Sequence, residues 1–414
     1  MNGNIVTLVE RRSTRDEQFD HAKQAAPTPA ELTRRMTALK PMIAAHAAET
    51  ERLRRVSDPV WSALQESGFF RQFVPKAFGG MATDIDSFVD ASLPIAEACA
   101  STAWVATFNA KYNWALAHFS PEAQAELWGG SARYVVASAV NTPPGRVVRV
   151  DGGFRATGAW KWGTGIMHAD WVMAGALLDE GNGPPRPFMT LFPTAEAEIL
   201  DTWHADGMAG TGSHDIRVTD LFVPEARTVP LAPCLSGRGP GSRRYDEPIY
   251  SAPMVPFLAV TTAVPVLGAV RSALGWFRER LGGHVRPGAD AKQADRPITQ
   301  IRLAEADLMV NAAELLIRDA GRRAVAAGAL EEPEQTPVRI AVRAQAAQAV
   351  GLCRKAALHL AEGAGSTAHM LDQPFQRCVR DINMMASHFG FDVDIAYELH
   401  GRALLGLPPN SPLT

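Results

Sequence analysis

A histidine flanked by aromatic residues stands near the end of the chain, in His388-Phe389-Gly390-Phe391. The ordinary pKa of histidine lies close to neutrality, so His388 could act as a general base or hold a polar group of a ligand through a hydrogen bond. Phe389 and Phe391 could supply apolar walls around it. A single histidine is more often a structural residue with satisfied hydrogen bonds, and the local sequence leaves both interpretations open.

Two tryptophans at alternate positions mark a second candidate segment, Trp160-Lys161-Trp162-Gly163-Thr164. Trp160 and Trp162 could wall an apolar pocket, and Thr164 could donate a hydrogen bond into it. Alternatively, the tryptophans could fill a core, and Thr164 could be an ordinary turn hydroxyl.

Polar residues at the end of a predicted strand form a third candidate group. Ser138, Asn141 and Thr142 could offer hydrogen bonds to the edge of a bound ring. Asn141 and Thr142 lie in a Pro- and Gly-rich stretch with turn composition, so a structural role is expected for them in any case.

Composition excludes several classes of partner for these residues. The chain has 414 residues, 46% hydrophobic and 21% charged, enough for two or three cooperating subdomains. Its net charge of -3 comes from nearly balanced acids and bases with no long run of either sign. Neither a nucleic acid nor an anionic membrane surface is therefore an expected partner.

The four cysteines are far apart, with no Cys-x-x-Cys spacing that could hold zinc or an iron–sulfur cluster, so no metal is predicted. Residues 1–27 mix acids and bases and lack the apolar core of a signal peptide. No run of 18 or more apolar residues is expected to span a bilayer. A cytoplasmic location follows as the expectation.

The first third of the chain is predicted to be helical after a mobile leader, residues 1–27. Thr28-Pro29-Ala30-Glu31 has the signature of a helix start, and apolar residues then recur at three- and four-residue spacing through about residue 54. A second helix fits residues 58–68, and residues 86–128 show further helical patterning. Residues 28–132 are therefore predicted to form an N-terminal helical domain.

The patterning then changes twice. Short β-branched runs separated by turns predict a β domain over residues 133–232, followed by a Pro-, Gly- and Arg-rich linker, residues 233–250. The remainder, residues 251–414, is predicted to form a four-helix bundle. Its predicted helices cover residues 255–281, 297–327, 337–362 and 374–405.

This order of domains resembles the acyl-CoA dehydrogenase superfold, and four motifs agree with it in place and order. They are Gly153–Gly165, Trp203–Asp215, Arg278–Gly282 and Leu371–Asp381. The resemblance implies a mainly α fold with a small, β-barrel-like central domain and a C-terminal four-helix bundle. It also implies a homotetramer whose bundles meet at the centre.

One departure from that family bears on function. Where acyl-CoA dehydrogenases have a Tyr-Glu-Gly turn whose glutamate removes a proton from the thioester, this chain has His388-Phe389-Gly390. A phenylalanine cannot accept a proton. The alternative base position of some relatives, near Phe257, Leu258 and Ala259, offers no carboxylate either.

A histidine at this position and the Trp-x-Trp segment resemble the oxygenase components of two-component flavin monooxygenases. The resemblance implies reduced flavin (FADH2 or FMNH2) and O2 as cosubstrates, and hydroxylation of an aromatic or heteroaromatic, phenol- or indole-like compound through a C4a-hydroperoxyflavin. It also implies a separate NAD(P)H:flavin reductase. No convincing Gly-x-Gly-x-x-Gly fingerprint for a nicotinamide is present.

The same resemblance assigns roles to individual residues. The expected catalytic residues are His388, Thr164 and Ser138. The expected flavin contacts are Asn141, Thr142, Trp162, Gly163 and Thr164, with Arg278 pairing with cofactor phosphate across a subunit boundary. The expected substrate pocket comprises Tyr112, Trp160, Phe389 and Phe391.

Three alternatives remain open. The same fold supports N-oxygenation of an amine, as in sugar nitrososynthases. An atypical acyl-CoA dehydrogenase with a relocated base is a second alternative, and a flavin-binding protein without oxygen chemistry is the third.

Overall fold

A computed structural model of the chain describes residues 25–129, 136–138, 143–181, 183–283 and 292–411, with backbone alone at 136–138. Most of the predicted leader, and two predicted flavin contacts, Asn141 and Thr142, lie outside the described residues.

Six helices form the N-terminal region. They are α1 (Pro29–Ala45), α2 (Ala47–Leu53), α3 (Asp58–Ser67), α4 (Ile85–Ala98), α5 (Ala100–Leu116) and α6 (Pro121–Trp128). The Thr28 hydroxyl accepts a hydrogen bond from the Glu31 backbone N–H at 3.3 Å, as the start signature predicts. Leu32, Met36 and Ile43 are buried, which confirms the apolar stripe of α1.

Helix α5 lies at the centre of this region. Every one of its residues is buried, including Asn109, Lys111 and Asn113. Asn109 and Asn113 donate hydrogen bonds to backbone carbonyls of their own helix one turn earlier. Although α5 is buried on all sides, one of its faces lines an internal cavity of the protein.

A mixed sheet follows. Its strands are β1 (Val136–Ser138), β2 (Gly145–Val150), β3 (Gly153–Gly163), β4 (Trp171–Leu178), β5 (Arg186–Pro193), β6 (Glu198–Leu200), β7 (His214–Pro224) and β8 (Thr228–Pro230). The order is β6-β7-β3-β2-β4-β5-β8, and β1 pairs in parallel with β4. The sheet has a core of its own, separate from the helical core. The described strands lie within residues 136–230, between the two helical regions, and the predicted domain bounds remain a prediction.

The short helix α7 (Leu231–Leu235) leads into the C-terminal bundle. The bundle consists of α8 (Met254–Gly283), α9 (Pro297–Ala326), α10 (Gln335–Ala364), α11 (Pro374–Ala386) and α12 (Val393–Leu404). Helix α8 packs against α4, α5, α9, α10 and α11, so it joins the bundle to the N-terminal region.

No segment of the sequence was expected to be long and apolar enough to span a bilayer, and helix α8 corrects that expectation. By length and composition its segment Met254–Gly282 is apolar enough to cross a membrane, with a mean hydropathy of 1.6. However, 78% of its most apolar window is buried inside the protein, as in a core helix.

The predicted fourth bundle helix, residues 374–405, is interrupted in the structure. Helix α11 ends at Ala386 and α12 begins at Val393, with a turn of 3-10 helix, Phe389–Phe391, between them. Asp392 caps α12, because its Oδ1 accepts the backbone N–H of Asp394 and of Ile395, both at 3.1 Å. The interruption turns the segment 387–392 towards the β domain and α5.

Candidate active site

A cavity of about 520 Å³ lies between α5, the β domain, α8 and the segment 387–392. Its walls are mainly apolar, with a small number of polar groups, as is typical of sites that bind planar organic ligands. Apolar side chains from α5, β4, β5, α7 and α8 form much of the surface. They include Phe108, Met173, Met189, Leu235, Met254 and Leu258.

One face of α5 forms a wall of this cavity. Trp104, Phe108, Lys111, Tyr112 and Ala115 line it, at the three- and four-residue spacing of a single helix face. The sequence predicts Tyr112 in the pocket, and the structure places it there, 9% exposed. The buried Lys111 was not among the predicted site residues.

His388 lies at the start of the turn that separates α11 from α12, and its ring lines the cavity. Its Nδ1 accepts the backbone N–H of Gly390 at 3.1 Å. The rings of Trp104 and Phe108 approach it edge-on, with centroids 5.5 and 6.2 Å away.

These surroundings change the acid–base behaviour of His388. Burial, and secondarily the charge of Lys111, lowers the pKa of His388 to about 3. The neutral ring therefore predominates, and because Nδ1 accepts from Gly390, the ring proton belongs on Nε2. In this geometry His388 is a hydrogen-bond donor and a weak base, whereas the sequence suggested a base with a pKa near neutrality.

Thr164 belongs to a chain of hydroxyl groups on the wall formed by the β domain. Its Oγ1 lies 3.2 Å from Ser213 Oγ, which lies 2.8 Å from Thr211 Oγ1. All three residues line the cavity. Thr211 donates to the Met208 carbonyl at 2.9 Å, so Ser213 donates to Thr211 and Thr164 donates to Ser213, which leaves Thr164 Oγ1 able to accept a hydrogen bond from a group in the cavity.

Trp162 also lines the cavity, with 46% of its surface exposed. A register shift between β3 and β7 occurs between Trp160 and Gly163, and Trp162 has a positive φ of 68°. Such a bulge redirects a side chain to the other face of a strand. A large ring left open beside an apolar cavity is suited to stack against a planar group.

The same bulge separates Trp160 from the site. Trp160 is 1% exposed inside the core of the β domain, where its Nε1 donates to the Gly175 carbonyl at 2.7 Å. It does not line the cavity, so its position corresponds to the core-filling alternative. Gly163 is also buried outside the lining, and a Cβ there would lie 2.6 Å from Ile216 Cδ1.

Phe389 and Phe391 both line the cavity on either side of Gly390. Phe391 is 2% exposed and packs with its ring centroid 5.7 Å from that of His388. Phe389 is 57% exposed and lies nearer the opening.

The remaining predicted residues are not brought to the cavity by the described part of the chain. Ser138 pairs with Met173 through the backbone of β1 and β4, but its side chain is outside the description. Arg278 is exposed near the end of α8, away from the cavity. Its expected contact with cofactor phosphate across a subunit boundary remains a prediction.

Several polar residues at or near the site were missed by the sequence analysis, and three of them are charged and buried. Lys111 and Arg343 line the cavity and are 1% and 5% exposed. Asp381, on α11, is 4% exposed, and its Oδ1 accepts the Met208 backbone N–H at 2.5 Å, so it ties α11 to the turn before β7. The available signal was a charged residue within an apolar helical pattern.

Asp392 is the one carboxylate among the described residues that line the cavity. Its side chain is exposed, and its Oδ1 is occupied by the two backbone N–H groups that it caps. Leu258 and Ala259, near the alternative base position, line the cavity as apolar residues. This arrangement does not favour removal of a proton from a carbon acid by a dedicated carboxylate.

Comparison with known proteins adds independent evidence. Residues 31–131 match the profile "Acyl-CoA dehydrogenase, N-terminal domain", and residues 260–393 match "Acyl-CoA dehydrogenase, C-terminal domain". The chain is 35% identical to a "Pigment production hydroxylase" of Rhodococcus sp. (strain ATCC 21145), over 93% of this chain and 99% of that protein.

Two further relatives are similar along nearly their full length. The "FADH(2)-dependent resorcinol hydroxylase, oxygenase component" of Rhizobium sp. (strain MTP-10005) is 33% identical, over 94% of this chain and 98% of that protein. The solved structure of XiaF from Streptomyces sp., in complex with FADH2 and glycerol, is 30% identical with a TM-score of 0.86, over 93% of this chain and 97% of that one. The chain therefore belongs to the acyl-CoA dehydrogenase family, in its group of flavin-dependent monooxygenase oxygenase components.

Proposed function

We propose that this chain is the oxygenase component of a two-component flavin-dependent monooxygenase that hydroxylates a small aromatic or heteroaromatic compound, phenol- or indole-like. The observation that carries the proposal is the apolar cavity, which brings His388, Tyr112, Trp162 and the Thr164 hydroxyl together. Similar relatives named as hydroxylases of aromatic compounds support it.

The residues of the cavity fit a reduced flavin, either FADH2 or FMNH2. The open ring of Trp162 can stack against the flavin ring system, and the hydroxyls of Thr164 and Ser213 can reach its edge. The bound reduced flavin supplies the electrons with which O2 delivers one oxygen atom to the substrate and the other to water. The apolar walls exclude water, which protects reactive oxygen species from wasteful decay.

His388 is proposed to hold the substrate from the opposite wall. With Nδ1 engaged by the Gly390 N–H, Nε2–H can donate to an oxygen or a ring heteroatom of the substrate. Such a hydrogen bond fixes the carbon to be hydroxylated relative to the flavin. The edge-on rings of Trp104 and Phe108 limit rotation of the imidazole and so preserve this orientation.

A separate NAD(P)H:flavin reductase is proposed as the source of reduced flavin. Relatives whose names contain "oxygenase component" support the need for a second protein. A cytoplasmic location is proposed as well, because the four cysteines are free thiols, as expected in a reducing compartment. We also propose a homotetramer, because α9 carries exposed apolar side chains that could form a contact between chains.

Isotope labelling tests the reaction directly. The purified chain, supplied with chemically reduced FAD or FMN and ¹⁸O2, should convert members of a panel of phenols and indoles into products that carry one heavy oxygen. Omitting the protein, or supplying oxidised flavin, should give no labelled product. The absence of labelled product across the panel with both flavins would contradict the proposal.

Adding aromatic amines and an acyl thioester to the panel separates the alternatives. Labelled oxygen on nitrogen, found with aromatic amines alone, would favour N-oxygenation. Bleaching of an oxidised flavin by an added acyl thioester would favour dehydrogenation, with Asp392 as the candidate base.

A further inference from the structure

Lys111 is a buried lysine that the proposed roles of the cavity do not use. It lies on the cavity-facing side of α5 and is 1% exposed. Its Nζ donates to Thr262 Oγ1 on α8, while the Thr262 hydroxyl donates to the Leu258 carbonyl at 2.6 Å. Thr262 can therefore only accept from Nζ, and it fixes the position of the amine.

The amine also lies 3.4 Å from the centroid of the Phe108 ring, and that ring packs against His388. Lys111 and His388 thus contact the same aromatic side chain from two elements that are distant in sequence. Tyr112, the next residue of α5, faces the same cavity. Three polar side chains of the cavity, those of Lys111, Tyr112 and His388, therefore contact the Phe108 ring.

No carboxylate in the described ranges forms an ion pair with Lys111, although lysine is rarely buried without one. Burial therefore lowers its pKa well below the ordinary value. Among the residues that the structure describes, the titratable and charged groups lining the cavity are Lys111, Tyr112, Arg343, His388 and Asp392. Of these, Asp392 lies near Arg343, whose pKa it raises against the larger lowering by burial.

A buried amine whose contacts in the described part of the chain are one hydroxyl and the rings of Phe108 and Tyr112 reduces the stability of the folded chain. A bound anion would offset that cost. An aromatic hydroxyl supplies such an anion, because it can transfer its proton to an amine and remain beside it.

We propose that Lys111 selects substrates with an acidic aromatic hydroxyl, by accepting the hydroxyl proton on Nζ and holding the resulting phenolate in an ion pair. This inference rests on the proposed function and names its substrate class as phenols in preference to neutral indoles or amines. The reactive ring is thereby made more electron-rich before oxygen is transferred.

The proton transfer is balanced. The substrate O–H bond breaks and its electron pair stays on oxygen, while the Nζ lone pair forms a new N–H bond. Nothing is oxidised or reduced in this step. The Nε2–H of His388 can donate a second hydrogen bond to the phenolate, since charge-assisted hydrogen bonds are the stronger ones.

A coloured phenol tests the inference without any flavin. 4-Nitrophenol absorbs at different wavelengths as the neutral phenol and as the phenolate, so its spectrum reports its charge when bound. The full chain is titrated with the probe at a pH below the solution pKa of the probe. We expect the bound probe to show the phenolate spectrum.

Three variants make the test specific. In Lys111→Met the bound probe should stay neutral, and its affinity should fall about tenfold or more, as expected for the loss of a hydrogen bond to a charged group. Lys355→Met, which replaces an exposed lysine of α10, should behave as the parent chain. Thr262→Val should weaken the phenolate signal, because it removes the hydroxyl that orients Nζ.

Thermal unfolding shows whether the variants are folded. Lys111→Met should melt at the same temperature as the parent or higher, because it removes a buried amine. A neutral spectrum in the parent chain, no saturable binding of the probe, or an unchanged phenolate spectrum in Lys111→Met would each overturn the inference. If ¹⁸O enters phenols while the bound probe stays neutral, the proposed function stands and this inference fails. If the probe ionises but no oxygen is transferred, the proposed function fails.

Discussion

His388 should make the stability of the folded chain depend on pH. Its pKa of about 3 in the folded chain is below the ordinary value of 6.5, so between these values the unfolded chain binds the proton more readily. Stability should therefore fall as pH decreases from about 6.5 towards 3, by up to about 1.4 kcal/mol per pH unit for one such histidine. His388→Asn should reduce this slope, as measured by urea unfolding at a series of pH values.

A second buried histidine sets the control for that measurement. Burial also lowers the pKa of His118 to about 3, so the slope should decrease in His388→Asn without disappearing. Replacing the exposed His369 with Asn should leave the slope of the parent chain unchanged. An identical slope in His388→Asn and the parent would contradict the buried, neutral state of His388.

Substitutions of the two tryptophans of β3 should have different effects, one on flavin affinity and the other on the stability of the folded chain. Trp162→Ala should weaken the binding of reduced flavin about tenfold, because it removes a stacking surface worth roughly 0.5–1.5 kcal/mol together with buried area. Affinity can be measured by anaerobic titration with FADH2 and with FMNH2. The folded state should be little affected, since the ring is 46% exposed.

Trp160→Phe is the matched core variant. It removes the hydrogen bond to the Gly175 carbonyl and part of a fully buried ring, so it should lower stability by about 1–3 kcal/mol. Flavin affinity should remain near that of the parent. The reverse pattern, with Trp160 governing affinity and Trp162 stability, would contradict the faces assigned to the strand.

The family resemblance pointed to several residues of the site, but buried charged residues could not be predicted. Tyr112, Trp162, Thr164 and His388 were expected from the resemblance, and all four line the cavity. Trp160 could not be separated from Trp162, since alternate residues normally share a strand face and the bulge depends on pairing with β7. Lys111 stood out only as a charged residue within an apolar helical pattern, and that pattern cannot show whether it is buried, because its burial is decided by packing between α5 and α8.

The interruption between α11 and α12 places the segment 387–392 at the cavity. Asp392 stabilises this interruption, because its side chain caps the N-terminus of α12. Asp392→Ala should destabilise the chain by about 0.5–2 kcal/mol, as measured by urea unfolding, and should reduce hydroxylation because the segment 387–392 loses its fixed end. Asp392→Asn should keep both, because an amide oxygen can still accept the two N–H groups.

That pair of variants also tests the dehydrogenase alternative. A carboxylate acting as a base would be lost equally in Asp392→Asn and Asp392→Ala, since neither side chain can take a proton at neutral pH. Equal loss of activity in both variants, with stability retained in Asp392→Asn, would therefore favour a catalytic role for Asp392 over a capping role.

The order of elements was predictable from periodicity and capping signals, and the interruption was only partly so. Thr28, Gly68 and the long apolar repeats give local signals, and the structure has α1, α3 and the bundle helices at the predicted places. The sequence predicts a single helix over residues 374–405, because the apolar periodicity continues on both sides of the break. The turn forms because Asp392 caps a new helix and Phe391 is buried.

For the whole molecule, the arrangement of exposed apolar residues bears on assembly. Ile301, Leu308 and Leu315 on α9 are spaced by seven residues, which places them on one face of the helix. Their exposed fractions are 53%, 67% and 70%, in a helix whose opposite face packs against α8 and α10. A row of exposed apolar side chains of this kind is typical of a contact between protein chains.

This row supports the proposed homotetramer with bundles at its centre, and it makes the assembly testable. Light scattering should give the mass of four chains for the parent. Leu308→Glu combined with Leu315→Glu should give a smaller species, because burying two carboxylates in an apolar contact costs several kcal/mol. Phe222→Glu on β7, where the parent ring is 40% exposed, should keep the parent mass. Dissociation by Phe222→Glu instead would place the contact on the β domain, since only the surface that is buried on assembly can respond to an added charge.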